Sequence, residues 1–341
     1  MTKTPALTAL AALALMAVAG TAQARDQIRI VGSSTVFPFS SAVAEHFGMT
    51  GGFKTPVVES TGTGGGFKLF CAGVGEDYAD IANASRAIKD SEREACAKNS
   101  VGDITEVKIG YDGIVLANAR SGPAMTVTRA QLWLALAKTV PQNGALVPNP
   151  YQNWSEIDPS LPAEKIEVLG PPPTSGTRDA FVELVMDKGC EEFAEVTSLD
   201  GEAKKAACQA IREDGAFVEA GENDNLIVQK LEANPAAFGV FGFSFLDQNM
   251  DRLQGAGVEG VGPSFETIAD GSYPVSRPLF FYVKNSHAEM VPGIREFVAE
   301  FMSEGASGEE GYLADKGLIP LPEAEHAAVM SSAMALTPLG N

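Results

Sequence analysis

The chain has 341 residues, 45% hydrophobic and 20% charged, which is globular material and enough of it for two lobes. Its 44 acidic residues outnumber 25 basic ones, for a formal net charge of −19, and this argues against nucleic acid or an anionic membrane surface as partner. An anion is not excluded, because surface carboxylates beyond roughly 8–10 Å are screened at physiological salt and a closed pocket of N–H donors decides binding locally.

The N-terminus departs from this average. Lys3 leads into an apolar run from Ala6 to Ala19 and then to Thr21-Ala22-Gln23-Ala24, an A-x-A cleavage signal. Residues 1–24 therefore read as a secretory signal peptide cut after Ala24. The run is too short to span a bilayer, and since Arg25 rather than a cysteine stands directly at the cut, a lipoprotein anchor is not expected. Cleavage takes away Lys3 alone among the charges and deepens the net charge by one. A soluble, exported chain is expected.

Gln27–Gly32 alternates and is β-branched, as a strand is, and Phe39–Phe47 has helical spacing with Val43 and Phe47 on one side. Pro56–Ser60 is a second strand candidate, followed by a glycine loop and a helix from about Phe67 to Ala72. Asp80–Ser85 is a third strand, and Asp90–Ala97 a helix that Ser91 can open. Such alternation predicts a parallel α/β sheet with ligand beyond the carboxyl ends of its strands. Farther on, Ile109–Ala117 reads as a buried strand, Thr128–Leu136 as a helix opened by Thr128, and residues 141–154 as a loop rich in proline and asparagine. Lys165–Gly170 is a strand leading through Pro171–Thr177 into a helix from Arg178 to Met186. Ala236–Phe243 and Leu279–Val283 complete the strands, and Gly293–Met302 is the last clear helix. The tail from Glu323 to Asn341 is open between a packed helix and a frayed end.

Cys71, Cys96, Cys190 and Cys208 are even in number, which in an exported chain favours disulfides. A metal site is the poorer alternative, since no C-x-x-C occurs and only His46, His287 and His326 are present. Of the three connectivities, Cys71–Cys96 and Cys190–Cys208 are preferred because each pair lies within one region of the chain.

The chemistry concentrates in four short segments: Gly32-Ser33-Ser34-Thr35, Ser60–Gly66, Ala84-Ser85-Arg86 and Thr174-Ser175-Gly176-Thr177-Arg178. Three of them fall where a strand gives way to a helix. The first N–H groups of a helix point outward without partners, and the helix dipole favours negative charge there. Hydroxyl side chains add donors, so several such turns converging would cage a tetrahedral oxyanion. The glycine run is no Walker A loop, because Phe67 precedes Lys68 and Leu69 follows.

In order and spacing from about Gln27 to Leu321, including Tyr273-Pro274-Val275-Ser276-Arg277-Pro278, these motifs resemble the periplasmic phosphate-binding proteins of phosphate-specific ABC transporters. The resemblance implies a type II periplasmic binding protein-like α/β fold of two lobes, with ligand in the cleft and two hinge-crossing segments. The lobes are expected at residues 25–113 with 282–341 and at 114–281. It also implies a periplasmic monomer that holds inorganic phosphate without a cofactor and delivers it to a membrane permease. Carried over residue by residue, it implies hydroxyl donors at Ser34 or Thr35, a backbone N–H near Val36, and hydroxyls at Thr63 and Ser85 with Arg86 beside them. From the fourth motif it implies Ser175, Gly176 and Thr177. The pattern departs twice. Arg86 stands where some relatives have an acid, and Arg178 follows the Ser-Gly-Thr turn where they have an arginine before it. Which of the two touches ligand is left open.

Phosphate at neutral pH keeps at least one proton, whereas sulfate only accepts, so a carboxylate acceptor would hold the one and repel the other. Asp112, in Gly110-Tyr111-Asp112-Gly113, is the candidate acceptor, with a turn aspartate before glycine as its alternative role. Arg86 could orient that carboxylate or bind ligand directly. Arsenate, molybdate and sulfate remain alternative ligands. A secreted phosphatase using Ser34 or Ser175 is the catalytic alternative, disfavoured because no histidine or metal-ligand cluster lies near either serine in sequence.

Overall fold

A computed structural model of the chain describes residues 25–50, 52–173, 175–221 and 224–340. The expected signal peptide and Thr174 of the fourth motif lie outside them. Strand β1 (Arg29–Gly32) ends in the Ser33–Val36 turn, and helix α1 (Phe37–Thr50) follows, burying Phe39, Val43, Ala44 and Phe47. Strand β2 (Val57–Ser60) leads through the glycine loop to α2 (Thr63–Phe70), and β3 (Ile81–Ala84) leads to α3 (Asp90–Lys98). These strands pair in parallel in the order β2–β1–β3. Two glycines are required by close approach. A Cβ on Gly32, at φ 134°, would lie 2.1 Å from the Asn83 carbonyl oxygen, and one on Gly66 would lie 2.4 Å from Gly32 Cα.

Strand β4 (Ile104–Ala119) is longer than the sequence pattern suggests. After the short β5 (Thr126–Val127), α4 (Arg129–Leu136) is opened by a reciprocal cap. Thr128 Oγ1 accepts from the Gln131 N–H at 3.1 Å, and Gln131 Oε1 accepts from the Thr128 N–H at 2.9 Å. The expected loop at 141–154 is partly a hairpin, β6 (Thr139–Gln142) with β7 (Ala145–Pro148). Its turn is Asn143-Gly144, with φ of 50° and 82°, the left-handed pair that closes a two-residue hairpin. The prolines are tolerated because this ribbon is all edge.

Helix α5 (Trp154–Ile157) and β8 (Val168–Gly170) precede α6 (Gly176–Phe181), which runs on through a π-helical turn, Val182–Met186, into α7 (Asp187–Cys190). Then come α8 (Ala194–Thr197), α9 (Gly201–Gln209), β9 (Phe217–Glu219) and α10 (Asp224–Ala233). Strand β10 (Phe238–Gly242) is followed by α11 (Phe243–Asp247), β11 (Leu253–Gly255), β12 (Gly257–Val258) and α12 (Phe265–Ala269). The chain ends with β13 (Ser276–Lys284), α13 (Ile294–Phe301), α14 (Glu304–Ser307) and α15 (Glu323–Met334), so the tail is a packed helix that buries His326 and Ala333. Among the described residues no helix is long and apolar enough to cross a membrane.

The main sheet runs β2–β1–β3–β13–β4–β10–β8–β9. It is mixed rather than parallel throughout. The two ends are parallel, but β13 is antiparallel to β3 and β4, and β4 is antiparallel to β10. The reason is that β4 carries the chain out of the first lobe and β13 carries it back. Strand β4 pairs with β13 up to Gly113 and with β10 from Ile114 onward. Because β13 pairs with β3 and with the first half of β4 from Ser276 on, residues 276–281 lie in the first lobe's sheet and not with the stretch from 114.

The first lobe packs on both faces of its sheet. One core contains Ile30, Val43, Phe281 and Phe297, and the other Phe67, Phe70 and Tyr282. A separate core with Trp133, Trp154, Phe181 and Phe241 fills the second lobe. Residues near the C-terminus touch both, with Leu318 in the first lobe's core and Ile319 and Leu321 in the second's. The preferred disulfides, Cys71–Cys96 and Cys190–Cys208, are both present.

Candidate functional site

Residues of all four motifs meet beside the point where β4 changes partners. The Ser33–Val36 turn is pinned by the Ser33 N–H, which donates to the Asn83 carbonyl at 2.9 Å, and by Ser33 Oγ, which accepts from the Val36 N–H at 3.4 Å. Val36 is thus buried under the turn, while Ser34 and Thr35 face the cleft. From the second lobe the N-terminus of α6 comes up against this turn. A Cβ on Gly176 would lie 2.9 Å from Thr35 Cα and 3.1 Å from the Ser34 carbonyl oxygen. Ser175 caps that helix by accepting from the Thr177 N–H at 3.2 Å.

Two cavities flank this contact and share Ser34 and Thr35. One, of about 370 Å³, is lined by Asp112, Ser175, Gly176, Thr177 and Lys316, with Phe37 and Phe245 at its apolar side. The other, of about 400 Å³, is lined by Thr63, Ser85, Arg178, Asp179, Glu183 and Lys205. In the second cavity Thr63 Oγ1 lies 3.0 Å from Ser85 Oγ and accepts from the Ser85 N–H at 3.1 Å. The two hydroxyls, from loops on different strands, thus form one donor pair.

The arginines sort differently from the expectation. Arg86 does not orient Asp112; its guanidinium forks onto Glu92 at 2.9 and 2.7 Å, and it lines neither cavity. Glu92 holds it there because the same carboxylate accepts the Lys89 N–H at the start of α3. Arg178 lines the second cavity, but its Nη1 donates to the Pro171 carbonyl at 3.0 Å and its face lies 4.5 Å over the Phe217 ring. The cation beside Asp112 is Arg277, which stands opposite it in the β4–β13 register. Its Nε lies 3.5 Å from Asp112 Oδ2, and its Nη2 donates to Thr35 Oγ1 at 2.8 Å. Burial pushes the Asp112 acid up, against the pull of Arg277. Asp112 Oδ2 and Arg277 Nε are both buried without a hydrogen-bond partner of their own.

Two contacts tie the lobes directly. The Ser34 hydroxyl donates to the Asp179 carboxylate, and Arg277 Nη1 pairs with Glu183 in the π-helical turn. Arg277, Asp179, Glu183 and Lys316 were not singled out from sequence. The available signal for Arg277 was its place in the Tyr273–Pro278 motif, and its role emerges only once strand register is known. Chemically, the site offers helix N-termini, paired hydroxyls and one buried guanidinium, all donors, with one buried acid among them.

A profile of the PBP superfamily domain matches residues 17–305. Among curated proteins, the protein SphX of Synechocystis is 32% identical over 88% of this chain and 80% of its own length. The phosphate-binding protein PstS of Staphylococcus haemolyticus is 32% identical over 83% of this chain and 79% of its own. Among solved structures, a possible phosphate binding protein from Planctomyces limnophilus superposes with a TM-score of 0.73 at 28% identity, over 91% of this chain and 98% of that one.

Proposed function

We propose, from the premise that this chain belongs to the PBP superfamily and within it to the PstS-type phosphate-binding proteins, that its cleft takes up inorganic phosphate and hands it to the permease of an ABC importer. The observation that carries the reading is the facing of two helix-start turns, Ser34–Val36 and Ser175–Thr177, beside the buried Arg277–Asp112 pair. The proposed ligand set is Ser34, Thr35, Thr63, Ser85, Ser175, Gly176 and Thr177, with the Val36 N–H and Arg178 at its margin and Arg277 in the place first given to Arg86. Asp112 is the acceptor for the ligand's proton. Hydrogen bonds to a charged partner contribute about 1.5–3 kcal/mol each, and micromolar binding needs about −8 kcal/mol in all. Several such donors reach that after the cost of closure.

The lobes are proposed as residues 25–113 with 276–340 and 114–275, since β4 changes partner after Gly113 and β13 joins the first lobe at Ser276. The protein is read as an exported monomer, with residues 1–24 as its leader, that binds without turnover and makes no use of nucleic acid. The test is titration calorimetry at pH 7 on the chain from Arg25, stripped of ligand, with phosphate, sulfate, arsenate and molybdate. Tight phosphate binding with sulfate rejected is the expected result, and Thr63→Ala or Ser175→Ala should each weaken it at least several-fold. Unchanged affinity in both variants would remove the site assignment. Preference for sulfate or molybdate would discard the ligand and the role of Asp112.

A further inference from the structure

The Arg277 guanidinium is a fork of five N–H donors, and its partners in this structure come from both lobes. Nη2 is held by Thr35 and Nε faces Asp112, both in the first lobe. The Nη1 edge is taken by Glu183, which reaches in from the second lobe. The two side chains differ sharply in exposure: 8% for Arg277 and 55% for Glu183. Glu183 also lines the same cavity as Ser34, Thr35, Thr63 and Ser85. The acid therefore approaches the arginine from the side on which an anion would arrive. It belongs to the π-helical turn Val182–Met186, a widened helical turn of the kind that recurs at functional sites.

We infer that Glu183 is an internal competitor for the anion, occupying with its carboxylate the guanidinium edge that a phosphate oxygen would use. A carboxylate and a phosphate both seek the forked edge of an arginine, and both cannot hold one edge. The competition has two effects. It keeps the lobes drawn together and Arg277 oriented before ligand arrives, and it holds phosphate affinity below what the donors alone would reach. A receptor that must give up its cargo gains from such a limit. The cations that line this cavity are Arg178, whose head is turned to the Pro171 carbonyl, and the exposed Lys205; Arg277 is not in its wall but is bonded to Thr35 and Glu183, which are, so an anion reaches its guanidinium where Glu183 now covers it.

The inference rests on the reading of the cleft as a phosphate site, and the experiment separates the two. Calorimetry with inorganic phosphate is run on the wild-type chain from Arg25, on Glu183→Gln and on Glu183→Asp. Removing the charge should tighten binding roughly three- to tenfold, the scale of one exposed-to-half-buried ion pair. Aspartate, which keeps the charge but withdraws it by one methylene, should fall between. In small-angle scattering without ligand, Glu183→Gln should be the more extended. Binding by Glu183→Gln no tighter than by a wild type that does bind overturns the inference and leaves the phosphate reading standing. A wild type that binds no phosphate removes both. Should Glu183→Gln fail to fold, the aspartate variant decides alone: affinity equal to or weaker than wild type overturns the inference.

Discussion

Asp112 and Arg277 face each other on one rung of the β4–β13 ladder, and their chemistry makes opposed demands on stability and on binding. Burial leaves Asp112 a weaker acid in the folded chain than the ordinary 3.8. The cost of holding its charge is therefore absent well below that value and grows as pH rises above it toward the folded-state value. Asp112→Asn should accordingly melt no lower than wild type at pH 7, yet bind phosphate about tenfold or more less tightly, because a neutral amide oxygen is a weaker acceptor for the ligand's proton than a carboxylate. A variant that melts clearly lower at pH 7, followed by calorimetry or circular dichroism, would contradict the desolvation argument. The turn residues at this scale were legible because their chemistry is local: Ser34, Thr63 and Ser175 each announce a turn or a helix start within a few positions. Arg277 was not. Its meaning depends on which of two distant strands lies beside it, and no short window of sequence contains that.

At the level of elements, the strand–turn–helix units of the first 100 residues were readable from β-branched runs followed by hydroxyl and glycine turns. The hairpin at residues 139–148 was missed although Asn143-Gly144 is its plain signal, because the surrounding prolines argued for a loop. The short pieces from α8 to α10 were missed for another reason. They are held by packing around Cys190–Cys208 and the second core, with too little periodicity of their own to be seen. The functional demand on one element can be tested directly. Gly176 opens α6 with its Cα against the Thr35 backbone, and alanine suits a helix interior better than glycine. Gly176→Ala should thus leave each lobe at least as stable while its methyl group props the turns apart. The expected result is unchanged thermal melting without ligand and phosphate affinity reduced more than about tenfold, from an obstruction well inside contact distance. Wild-type affinity in this variant would move the closing contact elsewhere.

For the molecule as a whole, the net charge of −19 and the donor-rich cleft pull in different directions for an anionic ligand. The long-range field repels phosphate, and salt screens it over a length that shrinks from about 30 Å at 0.01 M to about 8 Å at 0.15 M. Stopped-flow association of phosphate should therefore speed up as ionic strength rises between those limits, the reverse of what a positively steered site shows. Slowing with salt would mean that the local field of the cleft reaches into solution and outweighs the surface.

Strand β13 lies at the centre of the first lobe's sheet, between β3 and β4, yet it is the last strand in the chain. Strands β3 and β4 are both made long before it, and until residue 284 is available each has a bare edge of unpaired N–H and C=O groups. The main-sheet strands of the second lobe pair among residues 114–255 and leave no such edge waiting on β13, although Ile319 and Leu321 join its core later. In a chain that emerges from the N-terminus, whether from a ribosome or through a translocation channel, the lobe begun first is finished last. For the time needed to thread the whole intervening lobe, its open edges are what a chaperone must cover.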